Sequence, residues 1–332
     1  MIPRVFIVFL FLIAHATASQ AQDYRYEVRQ TIKTVDERDL SYYLDHPVDD
    51  ARVPLLLLVD GSGCSGQLRP GSRFDYRPGP DSPKPYARLM VEKPGVEPEA
   101  PHESDCSDDF HKYYAIDKRV MDHLRVLQHL RATADWWNGD LLVWGWSDGG
   151  DIAAQLVSIY PDASRPVLGA MGGGITMAEQ FEDIWACPEA DMSAPERMEC
   201  LADLRKDFAN IRDNPGWRER WNGESHVIWN SRLWSRLSAL LVNRTQPFLI
   251  VHGAMDRENT PIESARRLVA DLESGGNTAF TYWEVPDMAH GWSDFPPERK
   301  ASFKQAMLNW LLDVPAGEGG PPDFGKSSAA QE

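Results

Sequence analysis

Basic residues are scarce in this chain. It carries 34 lysines and arginines against 50 aspartates and glutamates, a net charge of −16 over 332 residues. A surface of that sign repels phosphate backbones, so composition argues against nucleic acid as a partner. Long apolar runs are missing too. The stretch from Val5 to Ala14 falls short of the roughly 20 residues a membrane-spanning helix needs, and no membrane span is expected. Cysteine occurs at only four positions, Cys64, Cys106, Cys187 and Cys200. His102, Cys106, Asp109 and His111 lie near one another in sequence, but their spacing matches no structural zinc pattern, so no metal site is expected. There is no internal repeat, which removes solenoids and propellers.

What is present begins with a leader. Arg4 precedes the apolar run, and Ala16-Thr17-Ala18 and Ser19-Gln20-Ala21 follow it with the small-x-small form of a signal-peptidase site. Residues 1–21 therefore read as a signal peptide, cleaved after Ala21 with Ala18 as the alternative. No cysteine follows the run and no arginine pair precedes it, which disfavours lipoprotein and twin-arginine routes. The expected location is secreted or periplasmic. In an exported chain four cysteines read as two disulfides. Cys187 and Cys200 share one segment, and Cys64 and Cys106 each follow a strand-like run, so Cys64–Cys106 and Cys187–Cys200 are the expected pairs.

Along the mature chain, alternation over 24–33 and 39–44 predicts an antiparallel edge pair. Leu55 to Val59 is a continuous apolar run, as in a strand covered on both faces. Arg88 to Glu92 is the next strand candidate. Helical spacing of Ile116, Val120, Leu124, Leu127 and Leu130 predicts a helix over 112–134, with His123 and His129 off its apolar stripe and hence on the surface. Further strands are expected at 141–144, 166–171, 248–251 and 279–285, and helices at 152–159, 262–272 and 299–312. Strands alternating with helices mean an α/β fold, a mostly parallel doubly wound sheet. Residues 175–245 break that rhythm, read as helical, and hold Trp185, Trp217, Trp221, Trp229 and Trp234. Residues 315–332 read as a disordered tail.

Two glycine-rich stretches imitate nucleotide sites. DGSGCSG, 60–66, follows a strand and fits G-x-G-x-x-G, but Pro70, Pro78, Pro80, Pro83 and Pro85 occupy the place of the helix that would hold a pyrophosphate. GPPDFGKS, 320–327, fits the phosphate-loop pattern, yet no strand leads into it and two prolines interrupt it. Neither carries a nucleotide reading.

The informative motif is Gly145-Trp146-Ser147-Asp148-Gly149, G-x-S-x-G between a strand and a helix. A serine on such a sharp turn is lifted clear of the sheet, and it needs a base and an orienting acid to act as a nucleophile. In this layout those follow in the order acid, then histidine, each after a later strand. Asp256 follows the strand at 248–251, and His290 the strand at 279–285. Asp287 and Glu258 are the alternative acids, and His252 the alternative base.

GWSDGG, VHGAMDRENTP and MAHGW together resemble the α/β-hydrolase fold superfamily, with an elbow similar to the dienelactone hydrolase and prolyl oligopeptidase branches. The resemblance implies one domain over 22–314, antiparallel N-terminal strands, and a helical cap insertion at about 175–245. It implies a catalytic triad of Ser147, His290 and Asp256, although the gap from Asp256 to Pro261 is one residue longer than the family pattern. It also gives DGSGCSG a role: Ser62 and Asp148 would supply the backbone N–H groups of an oxyanion hole. The implied activity is cleavage of carboxylic esters, with no cofactor, on a small-molecule ester or short peptide. The alternatives are a peptidase or amidase acting on small peptides, and a non-catalytic binding protein on the same scaffold. Trp146 and Trp292, flanking serine and histidine, suggest an aromatic-lined cleft.

Overall fold

The sequence VPLLLLV has no polar side chain, and in the computed structural model it is buried at the middle of an eight-stranded sheet. The structure describes residues 23–70, 76–79, 82–101, 105–160 and 162–314. The leader read at 1–21, the tail read at 315–332 with its phosphate-loop pattern, and His102 lie outside those residues.

In chain order the scaffold runs β1 (Tyr24–Lys33), β2 (Asp39–Pro47), β3 (Val53–Val59), β4 (Ala87–Val91), α1 (Asp108–Tyr113), α2 (Ile116–Thr133), β5 (Trp137–Trp146), α3 (Asp148–Ile159) and β6 (Val167–Gly169). The insertion follows, with α4 (Met177–Gln180), a π-helical turn Phe181–Trp185, α5 (Ala194–Asp213), a small ribbon β7 (Arg220–Trp221) and β8 (Glu224–Ser225), α6 (His226–Arg232) and α7 (Leu237–Leu241). The scaffold resumes with β9 (Phe248–Gly253), α8 (Ile262–Ser274), β10 (Phe280–Val285) and α9 (Pro297–Leu311). The sheet order is β1-β2-β4-β3-β5-β6-β9-β10. β1 and β4 flank β2 antiparallel, and every other neighbouring pair is parallel.

Both faces of the sheet are covered, as a mostly parallel sheet requires. Successive side chains of β5 alternate between the covers. Leu141 and Val143 pack toward α2, α3 and α8, whereas Leu142, Trp144 and Trp146 pack toward α9. The insertion has a third, small core of its own around Leu204, Phe208, Ile211, Trp229 and Leu233.

Three expectations change. The helix read over 112–134 is two helices, because Tyr114 and Ala115 are extended and Tyr114 turns into the core. The strand read at 166–171 stops at Gly169, since Ala170, Gly172 and Gly173 take positive φ and bend the chain away. His123 is not on the surface: it is 1 % exposed, and its Nδ1–H donates to the Arg119 carbonyl at 2.5 Å. Burial lowers its pKa to about 3, so the imidazole is held neutral.

Two disulfides are present, Cys64–Cys106 and Cys187–Cys200, with Cα atoms 5.3 Å and 5.9 Å apart. The first ties the loop after β3 to the segment before α1, and the second closes part of the insertion. Among the described residues no helix is long and apolar enough to cross a membrane.

Candidate active site

Ser147 stands between β5 and α3 with φ 60° and ψ −130°. That region is rarely open to a residue with a Cβ, and holding it costs about 1–3 kcal/mol. The glycines around it are obligatory. A Cβ at Gly145 would lie 2.0 Å from the Gly149 carbonyl oxygen, and one at Gly149 would lie 2.0 Å from that of Val59. The strained serine is fixed from below by its own N–H, which donates to Gly169 O at 2.9 Å.

The ends of β5, β9 and β10 bring three side chains into one hydrogen-bonded line. His290 Nε2 is 2.9 Å from Ser147 Oγ, and His290 Nδ1 is 2.7 Å from Asp256 Oδ2. The other Asp256 oxygen accepts N–H groups of Asn259 at 3.3 Å and Thr260 at 3.1 Å. The loop thus wraps back over the carboxylate, which is 1 % exposed. Trp146 Nε1–H donates to the His290 carbonyl at 2.8 Å, which anchors the loop that carries the imidazole.

The alternative residues are placed elsewhere. His252 is buried behind Asp256 and its Nε2–H donates to Thr260 O at 2.9 Å, while burial lowers its pKa. Asp287 is exposed and pairs with Arg299. Glu258 lies at the rim of the cleft. Cys106, considered as a metal ligand, is bonded to Cys64.

DGSGCSG forms the neighbouring wall. A Cβ at Gly61 would stand 3.2 Å from Ser147 Cβ and 3.1 Å from Trp146 O, so the loop packs closely against the serine. Asp60 points away from the cleft, to Arg69 at 2.8 Å and Lys93 at 3.3 Å, and accepts the Gly61 N–H at 2.9 Å. Burial alone would raise its pKa, but Lys93 and Arg69 hold it below the ordinary carboxylate value. Lys93 Nζ also donates to Gly63 O at 2.8 Å. Beneath it, Glu92 accepts the N–H groups of Lys93 and Gln67, and burial pushes its pKa up to about 7. These charges and the Cys64 disulfide fix the backbone of residues 60–67. Ser62 lines the cleft beside Ser147, and Asp148, as the first residue of α3, has an N–H with no helical partner.

Sequence reasoning missed what lies across the cleft. The Asp148 carboxylate accepts the Tyr114 hydroxyl at 3.3 Å and is paired with Arg232 from α6 in the insertion. Arg232 and Asp148 side chains are each 7 % exposed. Burial opposes the charge on Arg232, yet Asp148 holds its pKa above the ordinary guanidinium value. Nothing local in the sequence announces a pair formed across 84 residues. Asp151 was readable in SDGGD, one turn beyond Ser147, but only as part of a helix start.

The cleft has a volume of about 370 Å³. Trp185 and Trp229 line it, whereas Trp221 packs with Phe181 and Phe208 in the core of the insertion. Trp146 and Trp292 do not line the cleft: at 2 % and 4 % exposure they pack edge to face behind the site, as its support. A larger groove of about 460 Å³ lies at the opposite end of α3, around Val35, Met121 and Ile159, remote from Ser147.

Strand order, elbow and helical insertion define an α/β-hydrolase fold. No family model matches the chain, and a search of curated proteins finds no match. Solved structures do match. One is a dipeptidyl aminopeptidase IV-type protein from Bacteroides ovatus, with TM-score 0.57 and 14 % identity over 90 % of this chain. The acylaminoacyl peptidase of Pyrococcus horikoshii gives TM-score 0.55 and 14 % identity over 89 %. The esterase Pf2001 of Pyrococcus furiosus gives TM-score 0.53 and 13 % identity over 88 %. The chain spans 36 % and 42 % of the length of the two peptidases and 93 % of the esterase. At such identities the likeness is one of fold.

Proposed function

We propose that the chain is an exported serine hydrolase that cleaves carboxylic esters through an acyl-enzyme. The observation that carries this reading is the line Ser147–His290–Asp256, with 2.9 Å and 2.7 Å between its members. His290 Nε2 takes the Ser147 proton as Oγ attacks the ester carbonyl. The same nitrogen then protonates the departing alkoxide. Water, deprotonated by His290, attacks the acyl-enzyme and restores the serine. Asp256 keeps the Nδ1–H tautomer and offsets the charge of the imidazolium. The backbone N–H groups of Ser62 and Asp148 receive the oxyanion, each worth about 2.7–4 kcal/mol in the transition state. Every proton and charge in this scheme is handled by side chains and backbone of the chain, so it calls for no cofactor.

Export rests on the leader read at 1–21 and is supported by two disulfides, which persist in oxidising compartments. Esters are favoured over peptides because the chain matches the esterase along most of that protein's length, and the peptidases over less than half of theirs.

A fluorophosphonate probe, a nitrophenyl ester and an aminoacyl anilide test the reading on the full mature chain. The expected result is labelling and ester turnover by wild type, and neither by Ser147→Ala. Equal labelling of Ser147→Ala, or none of wild type, would overturn it in favour of a binding protein. Anilide turnover faster than ester turnover would move the assignment to a small-peptide peptidase.

A further inference from the structure

The cleft holds acceptors that none of its own donors reaches. Its cation, Arg232, is paired with Asp148, and its buried Nε has no partner of its own. Asp151, on the first turn of α3, also lines the cleft, and among the described residues no hydrogen bond reaches its carboxyl group. Burial and then the neighbouring Asp148 charge push that carboxyl well above the ordinary carboxylate range. Opposite it, on α4 of the insertion, Gln180 is 4 % exposed and its Oε1 has no partner. A buried carbonyl-type oxygen without a donor is unfavourable, which makes it a place where a ligand donor is wanted. Glu258 adds a further negative charge at the rim, and Trp185 and Trp229 supply aromatic surface between these groups.

One chemistry answers Asp151, Gln180 and Glu258 together. A neutral hydroxyl would satisfy Gln180 and leave the carboxyl groups without a countercharge. A carboxylate would find a donor in Arg232 but would face the charge of Glu258 and leave the Gln180 oxygen without a donor. A primary ammonium supplies three donors and one positive charge, and aromatic rings stabilise it further. An adjacent cation also favours the carboxylate form of Asp151, against the effect of burial.

We propose that the cleft accepts substrates carrying a primary ammonium group, held by the Asp151 carboxylate and the Gln180 carboxamide oxygen beside Trp185 and Trp229. The group sits close to the scissile carbonyl, because Asp151 is only four residues beyond Ser147 on the same helix. The preferred esters are therefore amino-acid esters with a free amine. This assignment rests on the serine hydrolase reading for its kinetics but not for its binding.

Two measurements keep the two readings apart. Calorimetric titration of Ser147→Ala with benzylammonium and with benzyl alcohol compares charge at nearly constant shape. Ammonium binding at least about tenfold tighter, with the difference lost in Ser147→Ala/Asp151→Asn, supports the site. Equal affinity in Ser147→Ala overturns it whatever the double variant does, as does a preference that survives Asp151→Asn. On the wild type, pH-stat hydrolysis of alanine methyl ester and N-acetylalanine methyl ester should give a kcat/KM ratio of about tenfold or more for the free amine, falling toward unity in Asp151→Asn. Turnover of both esters at equal rates leaves the hydrolase standing and overturns the ammonium site. No turnover of either ester, with the calorimetric preference intact, overturns the hydrolase and leaves the site standing.

Discussion

The cleft wall that carries Ser147, His290 and Asp256 hangs from the ends of β5, β10 and β9, whereas the wall facing it is made of α4, the turn after it, and α6. The first wall is fixed by parallel strands buried on both sides and by glycines that admit no Cβ. The second rests on a core of a few residues around Phe208 and Trp229, with helices of four and seven residues. Side chains that must meet within a few tenths of an ångström come from the rigid wall. The softer one brings Gln180, Trp185, Trp229 and Arg232 to the cleft, and it is joined to the scaffold through the Arg232–Asp148 pair, the Trp185 Nε1–H bond to Arg257 O and the packing of Ile228 against Phe110 and Tyr114.

The sharpest way to break this comparison is to substitute the rigid wall alone. Asp256→Asn should lower kcat on a nitrophenyl ester roughly 10⁴-fold with little change in KM, through loss of the productive tautomer. Asp287→Asn, on the exposed side of the His290 loop, should leave it unchanged. Next in size is the joint. Arg232→Met leaves the Asp148 carboxylate buried and unmatched, and should lower stability by about 3–5 kcal/mol in denaturant titration. A variant that melts like wild type would mean that the two walls are not joined there. The disulfides then divide the walls. By loop length, 42 residues against 13, paired Cys→Ser substitution should cost about 4 kcal/mol for Cys64–Cys106 and about 3 kcal/mol for Cys187–Cys200. The first should show in kcat, because it loosens the loop of Ser62, and the second in KM.

The smallest effect concerns acid. His123 titrates near its ordinary value of 6.5 when unfolded and at about 3 when folded. A depressed histidine contributes stability that is present above pH 6.5 and lost as pH falls toward 3. At pH 5 that loss is roughly 2 kcal/mol relative to pH 8. His123→Phe should flatten this part of the thermal stability profile. An unchanged slope between pH 6.5 and 5 would assign the acid sensitivity to other groups.

The same division governs how much was legible in the sequence. LLLLV, GWSDGG and MAHGW announce the rigid wall because strand, sharp turn and loop leave local marks: apolar runs, obligatory glycines, and polar residues at strand ends. The alternation of strands and helices gave the sheet for the same reason. Positions that depend on distant partners left no mark. His123 sits off the apolar stripe of α2 and is buried all the same, because other elements close over that side of the helix. Tyr114 breaks a helix whose periodicity runs on either side of it, since it reaches toward Asp148. Adjacency to Ser147 and His290 suggests that Trp146 and Trp292 line the cleft, but Trp146, the last residue of β5, points to the face opposite Ser147's turn, and Trp292 packs edge to face against it in the core. Arg232 has no local signature at all.

Asp148 has a consequence for how such a protein can change over evolutionary time. Its N–H belongs to the turn at Ser147 and its carboxylate pairs with the insertion, so one residue is shared by the two parts. Replacing residues 175–245 by an insertion of another lineage would remove Arg232 and strand a negative charge beside the nucleophile. A graft that succeeds must therefore bring its own cation or change residue 148 in the same step. The shared residue acts as a compatibility check between the sheet-borne elements and the insertion they carry.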